Sequence, residues 1–335
     1  METIKWLLAR QQEDGLSISK AVNLWRSIED KGRSPLDYSA LEQLNDQLEN
    51  GGAQEGEYLQ NLCEQWLQAC FLFDERRAEQ SLTQAFALYP VEMVMIELIQ
   101  KGLAHAGELW YQGEVTVQQE HFTTELAVRR INAMIAAAPA PIRTSSVIVG
   151  SSAGEPHSFP ALLLTLLLRY RGWDVVYLGA NVPLQRLNEV VTSVKPDLVV
   201  MTAMRLATAG TLLETANYLM EIDRPLAFGG RVFHTIPDLH RRIPGYYLGD
   251  SLPDGLSQIE ALLSGPAPQI LRDEKPEEFH QVIAQFRAHR PQIESQVLEA
   301  MFAKRDENIF PEYIRNANDF LAEDIIAGLK LGSMD

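Results

Sequence analysis

Val147-Ile-Val-Gly-Ser-Ser-Ala-Gly-Glu-Pro-His-Ser-Phe-Pro160 decides how this chain folds. An apolar run enters a loop of small residues, the loop presents His157, and Ala161-Leu-Leu-Leu-Thr-Leu-Leu-Leu168 starts a helix directly behind it. The same alternation continues downstream. Strands are expected at residues 145–150, 174–178, 198–202, 225–228 and 245–248, with helices at 160–171, 184–194, 206–221 and 253–264. Strands separated by helices of this length form a parallel sheet with right-handed crossovers, so residues 144–265 read as a Rossmann-like, doubly wound α/β domain. Gly172 reads as a C-cap glycine and Pro183 as the opening of the next helix. Ligands of such sheets sit beyond the carboxyl ends of the strands. There the sequence offers His157 after the first strand, Thr202 and Met204 after the third, and Gly229-Gly230 after the fourth.

Upstream, residues 51–140 form a separate unit, set off by the Gly-rich patch at 49–56 and helical in pattern from Tyr58 to Ala138. Leu59, Leu62, Trp66, Leu67 and Cys70 recur at helical spacing, as do Ala78, Leu82, Phe86 and Leu88. Tyr89-Pro90 opens a third helix, and the loop Tyr111-Gln-Gly-Glu-Val-Thr-Val117 leads to a fourth. Four helices with short connections predict an up-down bundle, joined to the sheet domain by the stiff Ala-Pro-Ala-Pro stretch at 138–141. Residues 1–45 read as two helices. Residues 270–335 return to amphipathic helix, for which packing on the sheet domain and a dimer contact are both open readings.

At 335 residues, 46% hydrophobic and 22% charged, the chain is an ordinary globular protein of two or three domains. The net charge of −16 opposes nucleic-acid binding, because neutralising phosphate supplies most of that affinity. No signal peptide is recognisable, and no apolar stretch is long enough to cross a bilayer. Cys63 and Cys70 sit seven apart in one helix, too far for a disulfide, and suit a reducing cytoplasm as core residues.

The nucleotide fingerprints are missing: Gly-x-Gly-x-x-Gly, the P-loop and the Gly-x-Ser-x-Gly elbow do not occur. What remains beside His157 is a second group, Trp110 followed ten residues later by Glu120-His121. The short loop brings a flat indole close to a pair able to hydrogen-bond or ligate.

These residues together resemble the cobalamin-binding modules in which a helical bundle caps a Rossmann-like domain, above all those of MerR-class B12-dependent photoreceptor regulators of the CarH type. Corrinoid proteins and methionine synthase share the fold. The resemblance covers about residues 1–265, and Leu16-Ser-Ile-Ser19 is similar to the run before the last helix of a MerR winged-helix domain. It implies that the recognition helix and wing belong before Met1, or that the DNA reader has been lost. The corrin signature Asp-x-His-x-x-Gly stands here as Glu155-Pro-His157-Ser-Phe-Pro160. By the resemblance His157 ligates cobalt and Glu155 backs its imidazole. Gly154, Ser158 and Phe159 belong to the same loop, while Thr202, Met204, Gly229 and Gly230 line a slot for the cofactor's tail. Trp110 then contacts the adenosyl side, and Glu120 and His121 hold the corrin edge or the adenosyl group. Three departures stand out, the first being Thr202-Ala-Met204 in place of the signature Ser-x-Leu. Pro160 replaces the signature glycine, and Tyr111 stands where several photoreceptor relatives carry a histidine that takes cobalt after light. His105 and His121 are the nearest substitutes.

The implied function is a non-enzymatic sensor of adenosylcobalamin or another cobalamin, light-responsive, part of a transcriptional regulator. Its partners are copies of itself, with DNA reached only through a domain absent from this chain. The rival readings are a sensor of the same fold that holds a bilin or haem with or instead of cobalamin, and a corrinoid methyl carrier.

Overall fold

The computed structural model describes residues 57–265, 278–303 and 311–332, together with Val22, Trp25 and Arg26. Apart from those three residues, the expected helices of residues 1–45 lie outside the described residues. The chain divides into two compact units, Met1–Thr123 and Thr124–Asp335, and the division falls inside one helix.

The first unit is helical. Helix α1 spans residues 57–71 and α2 spans Glu75–Leu88. Asp74 caps α2 by accepting the Arg77 amide at 3.0 Å, which satisfies one of the orphan donors of its first turn. The third helix, α3, runs through Val91–Met93, a π-helical segment Val94–Gln100 and Lys101–Tyr111. The sequence predicts one plain helix here; instead the middle is widened, with the Cys63 thiol donating to the Leu98 carbonyl at 3.4 Å. Helix α4, Val117–Ala136, begins with a reciprocal cap. The Thr116 hydroxyl accepts the Gln119 amide at 3.3 Å while the Gln119 side chain accepts the Thr116 amide at 2.8 Å. Leu59, Leu62, Trp66, Leu67, Cys70, Ala78 and Leu82 are buried, as their spacing requires. Burial lifts the Cys63 thiol to about 11 and the Cys70 thiol to about 12, the values of packing groups rather than nucleophiles.

The second unit is a five-stranded parallel sheet: β1 Ser146–Ser151, β2 Asp174–Gly179, β3 Leu198–Thr202, β4 Leu226–Gly229 and β5 Tyr246–Tyr247. The order is β2-β1-β3-β4-β5, every neighbouring pair parallel. The crossovers carry α5 Phe159–Tyr170, α6 Leu187–Val194, α7 Leu206–Glu221 and the short α8 Val232–Thr235; α9 Leu252–Ser264 follows the last strand. Residues Ala161 to Leu168 of α5 are all buried, which is why they read as an unbroken apolar run. The one hydroxyl among them, Thr165, donates back to the Ala161 carbonyl at 2.8 Å. The opposite face packs Ile148, Val199, Met201 and Phe228 against Leu187, Val191, Leu212, Ala216 and Leu219. Gly172, at φ +84, ends the turn after α5 as expected. Pro183 does not open α6: that helix starts at Leu187, after Arg186 at φ +64, because the chain turns through residues 180–186 after leaving β2.

Helices α10 Glu278–Ala303 and α11 Pro311–Leu331 belong to this unit, where Arg290 pairs with Asp319 at 2.6 Å. Helix α11 lies on α7. Ala327 sits against Gly210 so closely that a Cβ there would lie 2.9 Å from the Ala327 Cβ. Lys330 pairs with Glu214, and Leu331 enters the core beside Phe228. Of the two open readings of the tail, packing on the sheet domain is the one observed. Among the described residues no helix is long and apolar enough to cross a membrane.

Candidate functional site

Because β1 has β2 on one side and β3 on the other, the crossovers diverge between β1 and β3. The carboxyl ends of those strands open a crevice in any sheet of this order. Two loops fill it here. Ser152 donates from its amide and hydroxyl to the Thr202 carbonyl at 3.0 and 3.1 Å, and the Ser151 and Thr202 hydroxyls pair at 3.0 Å. The β1 loop then turns through Gly154 at φ +78, whose amide donates to the Asn181 side chain at 2.7 Å.

This turn drops Glu155 into the interior, fully buried, and leaves His157 outside with 59% of its side chain exposed. The Glu155 carboxylate is saturated. One oxygen accepts from His157 Nδ1 at 2.5 Å and from the His157 amide at 3.1 Å; the other accepts from the Met204 amide at 2.7 Å and the Thr208 hydroxyl at 2.6 Å. Burial pushes its pKa up, but these four donors outweigh it and hold the carboxyl down at about 2. An ionised carboxylate favours the tautomer with the proton on His157 Nδ1, the form in which Nε2 carries the lone pair.

His157 looks into a cleft of about 960 Å3 lined by Gly154, Pro156, Asn181 and Met204 to Leu206 on one side. Arg231, Val232, Thr235 and Ile236 of the β4 loop and Phe320 and Asp324 of α11 complete it. Among the described residues no group of three or more His, Cys, Asp or Glu side chains could hold a metal. His157 presents one oriented imidazole to this cleft.

Residues 145–251 match the family model "B12 binding domain", and residues 62–134 match a second model of the same description. The chain carries a cobalamin-binding module. The HTH-type transcriptional repressor CarH of Myxococcus xanthus is 26% identical over 216 residues, 64% of this chain and 68% of that protein. The trimethylamine corrinoid protein of Methanosarcina barkeri is 24% identical over 205 residues, 57% of this chain and 92% of that protein. The HTH-type transcriptional repressor CarA of Myxococcus xanthus is 31% identical over 90 residues, 27% of this chain and 31% of that protein. The two family matches and the repressor relatives bear out the CarH-type resemblance read from the His157 loop and the Trp110 group.

The residues singled out in the module's sequence fall into three groups. Gly154, His157 and Met204 line the cleft. Glu155, Thr202, Gly229 and Gly230 are not part of that lining, nor are Ser158 and Phe159 at the start of α5. Gly230 has a purpose within the chain itself: at φ +133, a Cβ would sit 1.9 Å from the Ala203 carbonyl oxygen. Trp110, Tyr111, Glu120 and His121 belong to the first unit. Trp110 is 49% exposed at the end of α3 and Tyr111 85%, while Glu120 accepts from His121 Nδ1 at 2.7 Å in the first turn of α4.

The sequence reading passes over Asn181, Arg205, Thr208, Arg231, Phe320 and Asp324. Arg205 donates to the Gly154 carbonyl at 2.7 Å and lies 5.6 Å from the Phe320 ring centre, tying both loops to α11. A signal existed for two of these residues, since Arg205 directly follows Met204 and Arg231 directly follows Gly230. None existed for α11.

Proposed function

We propose that this chain is the cobalamin-sensing part of a transcriptional regulator, a switch rather than a catalyst, holding adenosylcobalamin in the dark and changing conformation or assembly in light. The observation that carries the reading is the His157–Glu155 pair. It leaves one imidazole nitrogen free at the crevice of the sheet, with its tautomer fixed by a carboxylate that stays ionised. His157 Nε2 is the lower cobalt ligand in this reading, and Glu155 holds the Nδ1 proton. Met204, Gly154 and the loop that opens with Gly229-Gly230 embrace the tail of the cofactor in this reading. Trp110, Glu120 and His121 of the bundle, residues 51–140, are assigned in this reading to the upper side of the cofactor: Trp110 offers half-exposed apolar surface, and Glu120 with His121 offers a hydrogen-bonded polar pair. When bound, adenosylcobalamin supplies a cobalt–carbon bond that light can break. The chain's part is to hold the two ligand faces differently before and after, so that the population of its conformers shifts. The CarH and CarA relatives support the regulatory side of this reading.

The corrinoid relative supports a second reading, a methyl carrier serving a separate methyltransferase. One experiment separates them. The chain is reconstituted with adenosylcobalamin in the dark, and spectra and molecular size are recorded before and after green light. The switch reading expects a spectral change with a change in size or shape, and His157→Ala should lose the histidine-ligated spectrum. Stable binding with no response in size or shape overturns the photoreceptor and leaves the carrier; no binding overturns both.

A further inference from the structure

The tail helix α11 reaches the rim of the cofactor cleft, and its contacts there differ in kind from those along the rest of its length. Lower down, Ala327, Lys330 and Leu331 dock on α7 and enter the core. At the upper end Asp324 accepts the Ala207 amide at 3.0 Å, supplying a carboxylate to the positive end of α7. One turn before it, Phe320 stands 55% exposed and lines the cleft, with Arg205 across its ring. Asp324 and Arg205 thus hold this end of α11 at the rim, yet more than half of the Phe320 ring is left in water. Arg205 adds a buried Nε atom with no hydrogen-bond partner at the same rim.

We propose that α11 is part of the cofactor site: Phe320 packs against the bound cobalamin, and Asp324, through its bond to the α7 amide, positions that ring. The proposal rests on the reading that the cleft holds cobalamin. It makes the tail a ligand-gripping element, so that occupancy of the cleft restrains α11. Burying the exposed part of a phenylalanine is worth about a tenfold or greater gain in affinity.

The test titrates the full chain with adenosylcobalamin in the dark, comparing wild type, Phe320→Ala and Phe320→Leu, and follows amide hydrogen exchange across 311–331 with and without cofactor. Phe320 is exposed, so Phe320→Ala should melt with the wild type in the absence of cofactor. The expected result is about tenfold or greater weakening in Phe320→Ala, with the histidine-ligated spectrum retained. Phe320→Leu should recover most of the affinity, and exchange in 311–331 should slow on binding. Wild-type affinity in Phe320→Ala, or exchange in 311–331 indifferent to cofactor, overturns the role of α11 while leaving the cobalamin reading intact. A wild-type chain that binds no cobalamin overturns both.

Discussion

Glu155 serves two loops at once. It orients His157, and through the Met204 amide and the Thr208 hydroxyl it also fastens the β1 loop to the start of α7. Each of its oxygens meets only donors, so no rotamer of an amide can satisfy the site: in Glu155→Gln one N–H must face another donor. The expected cost is on the order of 1–3 kcal/mol, measurable as a lowered denaturant midpoint of the cofactor-free chain. The variant should also weaken histidine ligation of added cobalamin, since the imidazole loses its fixed tautomer. An unchanged midpoint would mean that the four hydrogen bonds are not held together in solution. The glutamate was legible in the sequence as a residue two before a histidine. Its partners at 204 and 208 were not, because a β1–β3 crevice joins residues some fifty positions apart only after the sheet has formed.

At the scale of elements, the Gly229-Gly230 pair separates two reasons for small residues. A Cβ on Gly229 meets nothing nearer than Leu248 at 3.8 Å, whereas one on Gly230 collides with the Ala203 backbone at a φ that side chains rarely adopt. Gly230→Ala should therefore destabilise the sheet unit by about 3 kcal/mol or more, while Gly229→Ala stays within about 1 kcal/mol, as read from thermal unfolding. Equal melting temperatures would refute the backbone argument. The five strands and their helices were readable because buried parallel strands and α5 carry long apolar runs that no other element shares. The start of α6 was not, since Arg186 takes a left-handed conformation without a residue type that announces it. The docking of α11 was equally silent: a glycine on one helix and an alanine on the other look like any small residues until they meet.

For the whole molecule, charge decides what a regulator's sensing part can do alone. At −16, the chain should give no anisotropy rise with a fluorescent DNA duplex at physiological salt and micromolar protein. Binding that strengthens as salt falls would show a basic surface that the net charge conceals. Leu331 has a consequence of another kind. It belongs to the same core cluster as Phe228, Leu219 and Ile148, yet it follows every strand in chain order. Chains fold from their earlier parts first as they are made. A nascent chain therefore has all five strands while one core position and one wall of its cleft are still to come. Assembly of the cleft is completed only when α11 has been made and has docked, well after the last strand.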